Sequence, residues 1–427
     1  MGSAARFATA ANAPNAPRVD PRTRRRTLFS NMVGERFRPS KLACRIANDI
    51  EEDLIIHGWQ TGDIRGSEHE LARRFGVCRV VVREAVRILE ARGTARMRRG
   101  PNGGLLVQKP ERHHVLGMAI RYARLLGCTA SQIGDARRLL SSVRRNLAQD
   151  AAQAGANPVG EAANWAARDV LSFFDTIVEA AEAASAPCAV GPSIRARLRT
   201  RATHVAHRIM EDHQGAQWQE GCKLGAELDL CERYSVDRCV LRQAVRILES
   251  EGAVVSQAGR GHGLLLTTPG PGAICRLAQC YFASCDLTPA AVYSLFGFVS
   301  SVATALAAER ASPADAARMA RAVEAFTNAT SAHEQAELVF EVEESQFAIL
   351  GNPLITLFLR SAKAFPCWNG AAGLDLQPDK ALYLDLTASV MSAIERNDPR
   401  GAASAQYEKF LRMNPDGGDG DFGAQMS

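Results

Sequence analysis

The chain has 427 residues, 46% of them hydrophobic, which is too long for one ordinary core and enough for two or three domains. Its 51 basic residues against 46 acidic ones give a net charge of only +5, so overall charge does not mark an anionic partner and local clustering must do so. The 11 cysteines form no C-x-x-C pair and no Cys/His zinc spacing, which argues against a disulfide framework or a zinc module and for a reducing compartment.

Residues 1–38 lack an apolar h-region, carry the basic run "RTRRR" at 22–26, and read as a disordered arm rather than a signal peptide. Over 46–58, Ile46, Ile50, Leu54 and Ile55 recur at helical spacing and the run ends on Gly58. Ser67 and Glu70 then form a capping box that opens a short helix ending at Gly76. A third helix over 79–91 sets Val82, Ala85, Val86 and Leu89 on one face. The stretch "TARMRRGPNGGLLV" follows, two short extended runs around a glycine-rich turn. Three helices and a hairpin predict a winged helix-turn-helix over 39–110.

Such a fold puts the start of its second helix-turn-helix element in the major groove and holds phosphates with basic side chains and helix ends. Arg79 and Arg83, four apart, share a face at the start of the third helix. Nine arginines against two glutamates between 73 and 99 make a plausible phosphate footprint. In the wing, Arg98 and Arg99 stand at the entrance, and Gly103 with its neighbours at the tip permits close backbone approach.

The unit occurs twice. Residues 59–110 align without gaps on 218–269 with roughly 23 of 52 positions identical, where chance gives about three. The second winged helix, over 201–269, keeps Arg238, Arg242 and a wing with Arg260 and His262. Leu228 replaces His69, Asp237 replaces Cys78 and Gln243 replaces Glu84, so the ends expected to face DNA differ. Cysteine is a poor N-cap, whereas Asp237 is a good one, worth about 1 kcal/mol, but sets a carboxylate where a phosphate would lie. With five arginines against four acids over 232–260, the second copy is expected to bind DNA more weakly or with different specificity.

Residues 111–200 read as a helical linker or truncated bundle, 270–413 as a helical bundle, and 414–427 as a disordered Gly/Asp-rich tail. The twenty residues at 289–308 carry no charge, but Tyr293, Gly297 and several hydroxyls mark a buried bundle helix rather than a membrane span.

The series "GDIRGSEHELARRFGVCRVVVREAVRILEARG" followed by "RRGPNGGLLV" closely resembles the DNA-binding domain of the GntR family of bacterial transcription regulators, over 41–110 and again over about 203–269. That resemblance implies operator contacts at His69, Arg79, Arg83 and Gly103. "LAAERAS", "LGNPLI" and "AIERNDPRGAASAQYEKFL" resemble the FadR-type C-terminal domain, an antiparallel helical bundle that binds small acidic metabolites, often with a metal. The family's Asp and three His ligands fall here on Val339, Glu343, Thr387 and Lys409, and its arginine near Phe296, so no metal or other cofactor is expected. His333, Glu337 and Glu341, spaced by four, read as solvated surface rather than ligands. Arg360 and Lys363 are candidate partners for the carboxylate of an effector, although both also suit a surface position.

The expected fold class is mainly α: two winged helix-turn-helix domains, each followed by a helical region, the second an antiparallel bundle. The expected function is a cytoplasmic, nucleoid-associated regulator that binds a double-stranded operator as a monomeric pseudo-dimer or a homodimer. A sensor or scaffold whose readers no longer bind DNA is the competing reading. No nucleophile-base constellation, paired carboxylates or phosphate loop points to an enzyme.

Overall fold

The computed structural model describes residues 42–112, 115, 118–119, 122, 127–153, 158–185, 201–213, 219–256, 263–268, 270–285, 287, 289–369 and 379–413. The arm expected at 1–38 and the tail expected at 414–427 lie outside the described residues.

In the first winged helix, α1 (Leu42–Ile56) buries Ile46, Ile50, Leu54 and Ile55. Helix α2 (Glu68–Phe75) is opened by the predicted box: the Glu70 N–H donates to Ser67 Oγ at 3.3 Å, and the Ser67 N–H donates to Glu70 Oε2 at 2.7 Å. That pairing lowers the Glu70 pKa through the Ser67 backbone and hydroxyl hydrogen bonds. Gly76, with φ +64°, turns the chain out of α2 in the left-handed region that glycine enters without steric cost. Helix α3 (Arg79–Arg92) buries the predicted face, Val82, Ala85, Val86 and Leu89. Strands β1 (Ala95–Arg98) and β2 (Gly104–Val107) pair antiparallel with Ala95 opposite Val107 and Arg98 opposite Gly104. The buried Trp59 ring closes the hairpin onto the helices, its Nε1–H donating to Gln108 O at 3.0 Å.

Helices α4 (Ala130–Gln153) and α5 (Pro158–Ser185) follow, then the second winged helix. This has α6 (Arg201–Asp212), β3 (Lys223–Gly225), α7 (Glu227–Tyr234), α8 (Arg238–Ser250), β4 (Val254–Ser256) and β5 (Leu264–Leu266), with strand order β3-β5-β4. The remaining helices are α9 (Gly272–Ser284), α10 (Pro289–Ala308), α11 (Pro313–Asn328), α12 (Ala332–Phe347), α13 (Pro353–Asn369), α14 (Lys380–Glu395) and α15 (Pro399–Arg412). The fold is mainly α, with two winged-helix units.

The uncharged α10 is the centre of the bundle and packs against α4, α5, α12, α13, α14 and α15. Burial on all sides explains its lack of a polar face. Among the described residues no helix is long and apolar enough to cross a membrane. The helices after the first winged helix are also built into this bundle. Asp135 of α4 accepts two hydrogen bonds from Arg310, at 2.7 and 2.8 Å, which hold its carboxyl below the ordinary range. Gln132 and the Gly351–Asn352 segment exchange two more, both 2.7 Å.

The two winged helices differ in how they are anchored. The first shares one continuous apolar core with α4, α5 and the bundle, whereas the second has its own, formed around Val205, Ile209, Leu230, Leu241 and Leu248. A buried polar seam runs where the first meets the bundle. Arg276 of α9 pairs with Glu52 of α1 at 3.0 Å, and beside it Arg92 of α3 pairs with Glu51 at 2.6 Å. Asn48 accepts from Arg92 at 2.9 Å and Glu51 from the Thr94 hydroxyl at 2.8 Å. In the second copy, Met210, Glu251 and Ala253 occupy the places of Glu51, Arg92 and Thr94, so that network is not repeated.

Candidate nucleic-acid interface

Helices α2 and α3 set the basic side chains of the first copy on one exposed surface. Glu68, in the first turn of α2, reaches across the turn to α3, accepting from Arg83 Nε at 2.9 Å and lying 3.7 Å from Arg79 Nη2. Both guanidinium groups stay more than half exposed. An exposed pair of this kind contributes at most about 1 kcal/mol, so it orients the arginines without committing them. His69 is exposed on the same turn of α2. Cys78 sits at the N-cap of α3 and makes no side-chain cap bond, so the first-turn N–H groups face outward with the positive end of the helix dipole. Next to them Val80 is 61% exposed, an apolar side chain at the position that enters a groove in this fold.

The wing presents Arg98 and Arg99, both exposed. Arg98 Nη2 donates to Asn102 O at 2.7 Å and braces the tip. Gly103 is required sterically: a Cβ there would sit 2.4 Å from Arg98 O, and the Gly103 N–H closes the turn onto Gly100 O at 2.9 Å.

The second copy repeats the clamp, with Glu227 accepting from Arg242 Nη2 at 3.3 Å and Arg238 exposed at the start of α8. Its helix start differs. Asp237 Oδ1 accepts the Val240 N–H at 2.9 Å, so a side chain of the chain itself occupies the place open in the first copy. Leu228 is 56% exposed where the first copy has His69. The expected wing contacts Arg260 and His262 lie outside the described residues.

Glu84 requires a correction. Sequence comparison placed it at the DNA-facing end, but its carboxylate pairs at 2.6 Å with Arg246 of the other winged helix, where α3 and α8 pack side by side. Helical periodicity marks Glu84 as polar and cannot tell a solvated face from one that meets a second domain. The Glu68 and Glu227 clamps were also missed, although the glutamate stands at the same place in both copies and that recurrence was a usable signal.

In the bundle, the two candidate effector partners are engaged with α12. Arg360 donates to both oxygens of Glu344, at 3.0 and 2.7 Å, and Lys363 is ion-paired with Glu343. The surface alternative suits neither, since the Arg360 and Lys363 side chains are 17% and 18% exposed, and Lys363 Nζ lies 4.5 Å from the centre of the Phe340 ring. The four positions to which the resemblance assigned metal ligands hold other chemistry. Val339 O accepts from the Tyr383 hydroxyl at 3.5 Å, Glu343 pairs with Lys363, Thr387 Oγ1 donates to Tyr383 O at 2.7 Å, and Lys409 is buried. Among the described residues no group of three or more His, Cys, Asp or Glu is placed to hold a metal. Glu337 is half-buried and Glu341 exposed, and the His333 side chain lies outside the described residues.

Comparison with solved structures gives partial likenesses, among them the following. A Streptococcus agalactiae GntR is 19% identical over 49% of this chain and 95% of its own, with a TM-score of 0.37. E. coli McbR/YncC is 15% identical over 50% and 95%, with a TM-score of 0.27. A GntR-family transcriptional regulator from Pseudomonas syringae pv. tomato is 17% identical over 50% and 82%, with a TM-score of 0.24. No curated protein matches the chain. The family described as "Bacterial regulatory proteins, gntR family" matches twice, at residues 42–103 and 201–263, each match falling on a winged helix. On that pair of matches, each of the chain's two winged-helix units is similar to the GntR family of bacterial regulatory proteins.

Proposed function

We propose that the chain is a sequence-specific transcription regulator in which two duplicated winged-helix readers on one polypeptide form a pseudo-dimer on an asymmetric operator. In this reading the FadR-like bundle takes a small acidic effector. His69, Arg79, Arg83, Arg98, Arg99 and Gly103 form the stronger reader, with Val80 available to a thymine methyl. Arg238, Arg242, Arg260 and His262 form the weaker one. The contact between α3 and α8 through Glu84 and Arg246 carries the proposal, because it brings the two winged helices together within one chain. Counting helix rise from that contact and adding an interaxial spacing puts the starts of α3 and α8 no more than about 30 Å apart. Successive major grooves on one face of DNA lie about 34 Å apart. The operator is therefore compact, with its two contact sets less than one turn apart.

A base-by-base footprint on DNA selected by the chain from a random pool tests this. The expected result is one short, uneven protected region, with one chain per operator by light scattering. Arg83→Ala should weaken binding about tenfold or more, as for loss of one good base or phosphate contact, and Arg242→Ala distinctly less. Two equally sensitive half-sites a full turn apart, or equal losses in the two variants, would sink the asymmetric pseudo-dimer. An absence of any salt-dependent binding to DNA would favour the scaffold reading.

Glu68 supplies a second check. Its carboxylate competes with phosphates for Arg79 and Arg83, so Glu68→Gln should bind DNA up to about fivefold more tightly, the equivalent of one exposed ion pair. A weaker complex in a band shift would show that the clamp positions the arginines rather than restrains them.

A further inference from the structure

The second winged helix is held to the rest of the chain mainly at one place. Among the described residues, α8 against α3 is its most extensive contact with an element outside itself. The buried side of α8, with Leu241, Ala244 and Leu248, belongs to a core separate from the one that contains Val82, Val86 and Leu89 of α3. No common apolar interior therefore fixes how the two units sit. What meets at the joint is a pair of charges, the Glu84 carboxylate and the Arg246 guanidinium at 2.6 Å, with 26% and 28% of the two side chains exposed. Such a pair is neither free in solvent nor burdened with the full desolvation cost of a buried one.

The duplication shows that this acid is not a requirement of the unit's own fold. Gln243 stands at the place equivalent to Glu84, and Arg87 at the place equivalent to Arg246. The second unit forms α8 with that glutamine, which turns back to its own helix, its Nε2–H donating to Cys239 Sγ at 3.7 Å. Arg87 is exposed on α3. The first unit thus supplies the acid and the second the base, and the reciprocal residues, Arg87 and Gln243, do not carry opposite charges. The joint lies about 8 Å along α3 from Arg79 and about 12 Å along α8 from Arg238, at the rise of an α-helix. A rotation there is carried into the separation of the two helix starts.

We infer that Glu84 and Arg246 are positioning residues that set the separation of the two readers, and through it the spacing of the operator's two contact sets. The inference rests on the reading of the chain as two readers in cis and names the residues that make it selective for spacing. Units without a common core are held in one arrangement by the groups at their contact, and an ion pair of this exposure favours that arrangement up to about fivefold. Salt weakens the preference, because the pair is partly in solvent.

The test uses the full chain and the operator it selects from a random pool, with single base pairs inserted or removed, one at a time, between the two contact sets. The readout is the ratio of affinities for the preferred and the altered spacing on fragments of equal length, so that changes in the protein's overall charge cancel. The wild type should prefer one spacing. Glu84→Gln, which installs the residue the other copy carries at this place, should lose up to about fivefold of that preference. Glu84→Arg and Arg246→Glu, each setting like charges against one another, should lose at least as much, and the two together should restore it. Melting temperatures check the fold of each variant, and Glu84→Gln keeps the test open if a reversal does not fold. An unchanged ratio in Glu84→Gln and in the reversals, or no recovery in the double exchange, overturns the assignment and leaves two readers in cis. A footprint with a single contact set that is insensitive to Arg242→Ala removes the two-reader reading, and the inference with it.

Discussion

Glu51→Ala is expected to destabilise the protein by about 3–5 kcal/mol, more than any surface change in either reader. The carboxylate is completely buried and receives the Arg92 guanidinium at 2.6 Å and the Thr94 hydroxyl at 2.8 Å. Removing it leaves a buried guanidinium with Asn48 as its remaining strong acceptor, and most of the expected cost comes from that uncompensated charge rather than from the lost bond. Replacing both members with apolar residues, Glu51→Met with Arg92→Met, should therefore cost much less than the sum of the single changes. Urea denaturation of the wild type, the two single variants and the double variant measures the coupling directly. Additive losses would mean that the pair is solvated and does not act as a unit.

The second large effect depends on pH and has the opposite sign. Lys409 titrates near 8 in the folded chain against an ordinary 10.5, so over that window the unfolded state binds more protons and stability rises with pH. Below about 8 the full penalty of the buried ammonium is present, about 3 kcal/mol for a shift of this size. Lys409→Met should then be more stable than the wild type by up to about 3 kcal/mol at pH 7, with the difference shrinking as pH rises from 8 towards 10.5. The groups facing the amine do not mask this. Glu343 and Lys363 are ion-paired with each other, and burial pushes the Tyr383 phenol well above its usual range. Denaturation of both proteins in ligand-free buffer at pH 7 and pH 9.5 decides it. A variant less stable at both values, by the same amount, would show that the methylene packing of Lys409 outweighs its charge.

Much of the local architecture is legible in the sequence because it depends on neighbours three or four residues away. Ser67 and Glu70 announce the start of α2, Val82, Ala85, Val86 and Leu89 announce the buried side of α3, and Asp237 announces the cap of α8. The near-identical copies announce two units of one fold. What stayed hidden depends on pairs far apart in the chain. Glu52 meets Arg276 across 224 positions, and Glu84 meets Arg246 across a domain boundary. Periodicity says that each of these side chains is polar and says nothing about its partner. Lys409 was visible only as a position where a histidine was missing. Its burial comes from the convergence of α12, α13, α14 and α15, which no single helical repeat encodes.

The separation of the two cores bears on how such a molecule can change. A substitution in the first reader is felt in the bundle, because Leu89, Ile50 and the Glu51–Arg92 pair belong to the same packed interior as α9 and α13. The second winged helix has a core of its own and touches the first through the Glu84–Arg246 pair, and effects of substitutions distant from that contact tend to add rather than compound. If the two units read DNA as proposed, the second is the part of the chain in which base preference can drift at least cost to the rest, with the first as a fixed reference and novelty in target choice entering through α7 and α8.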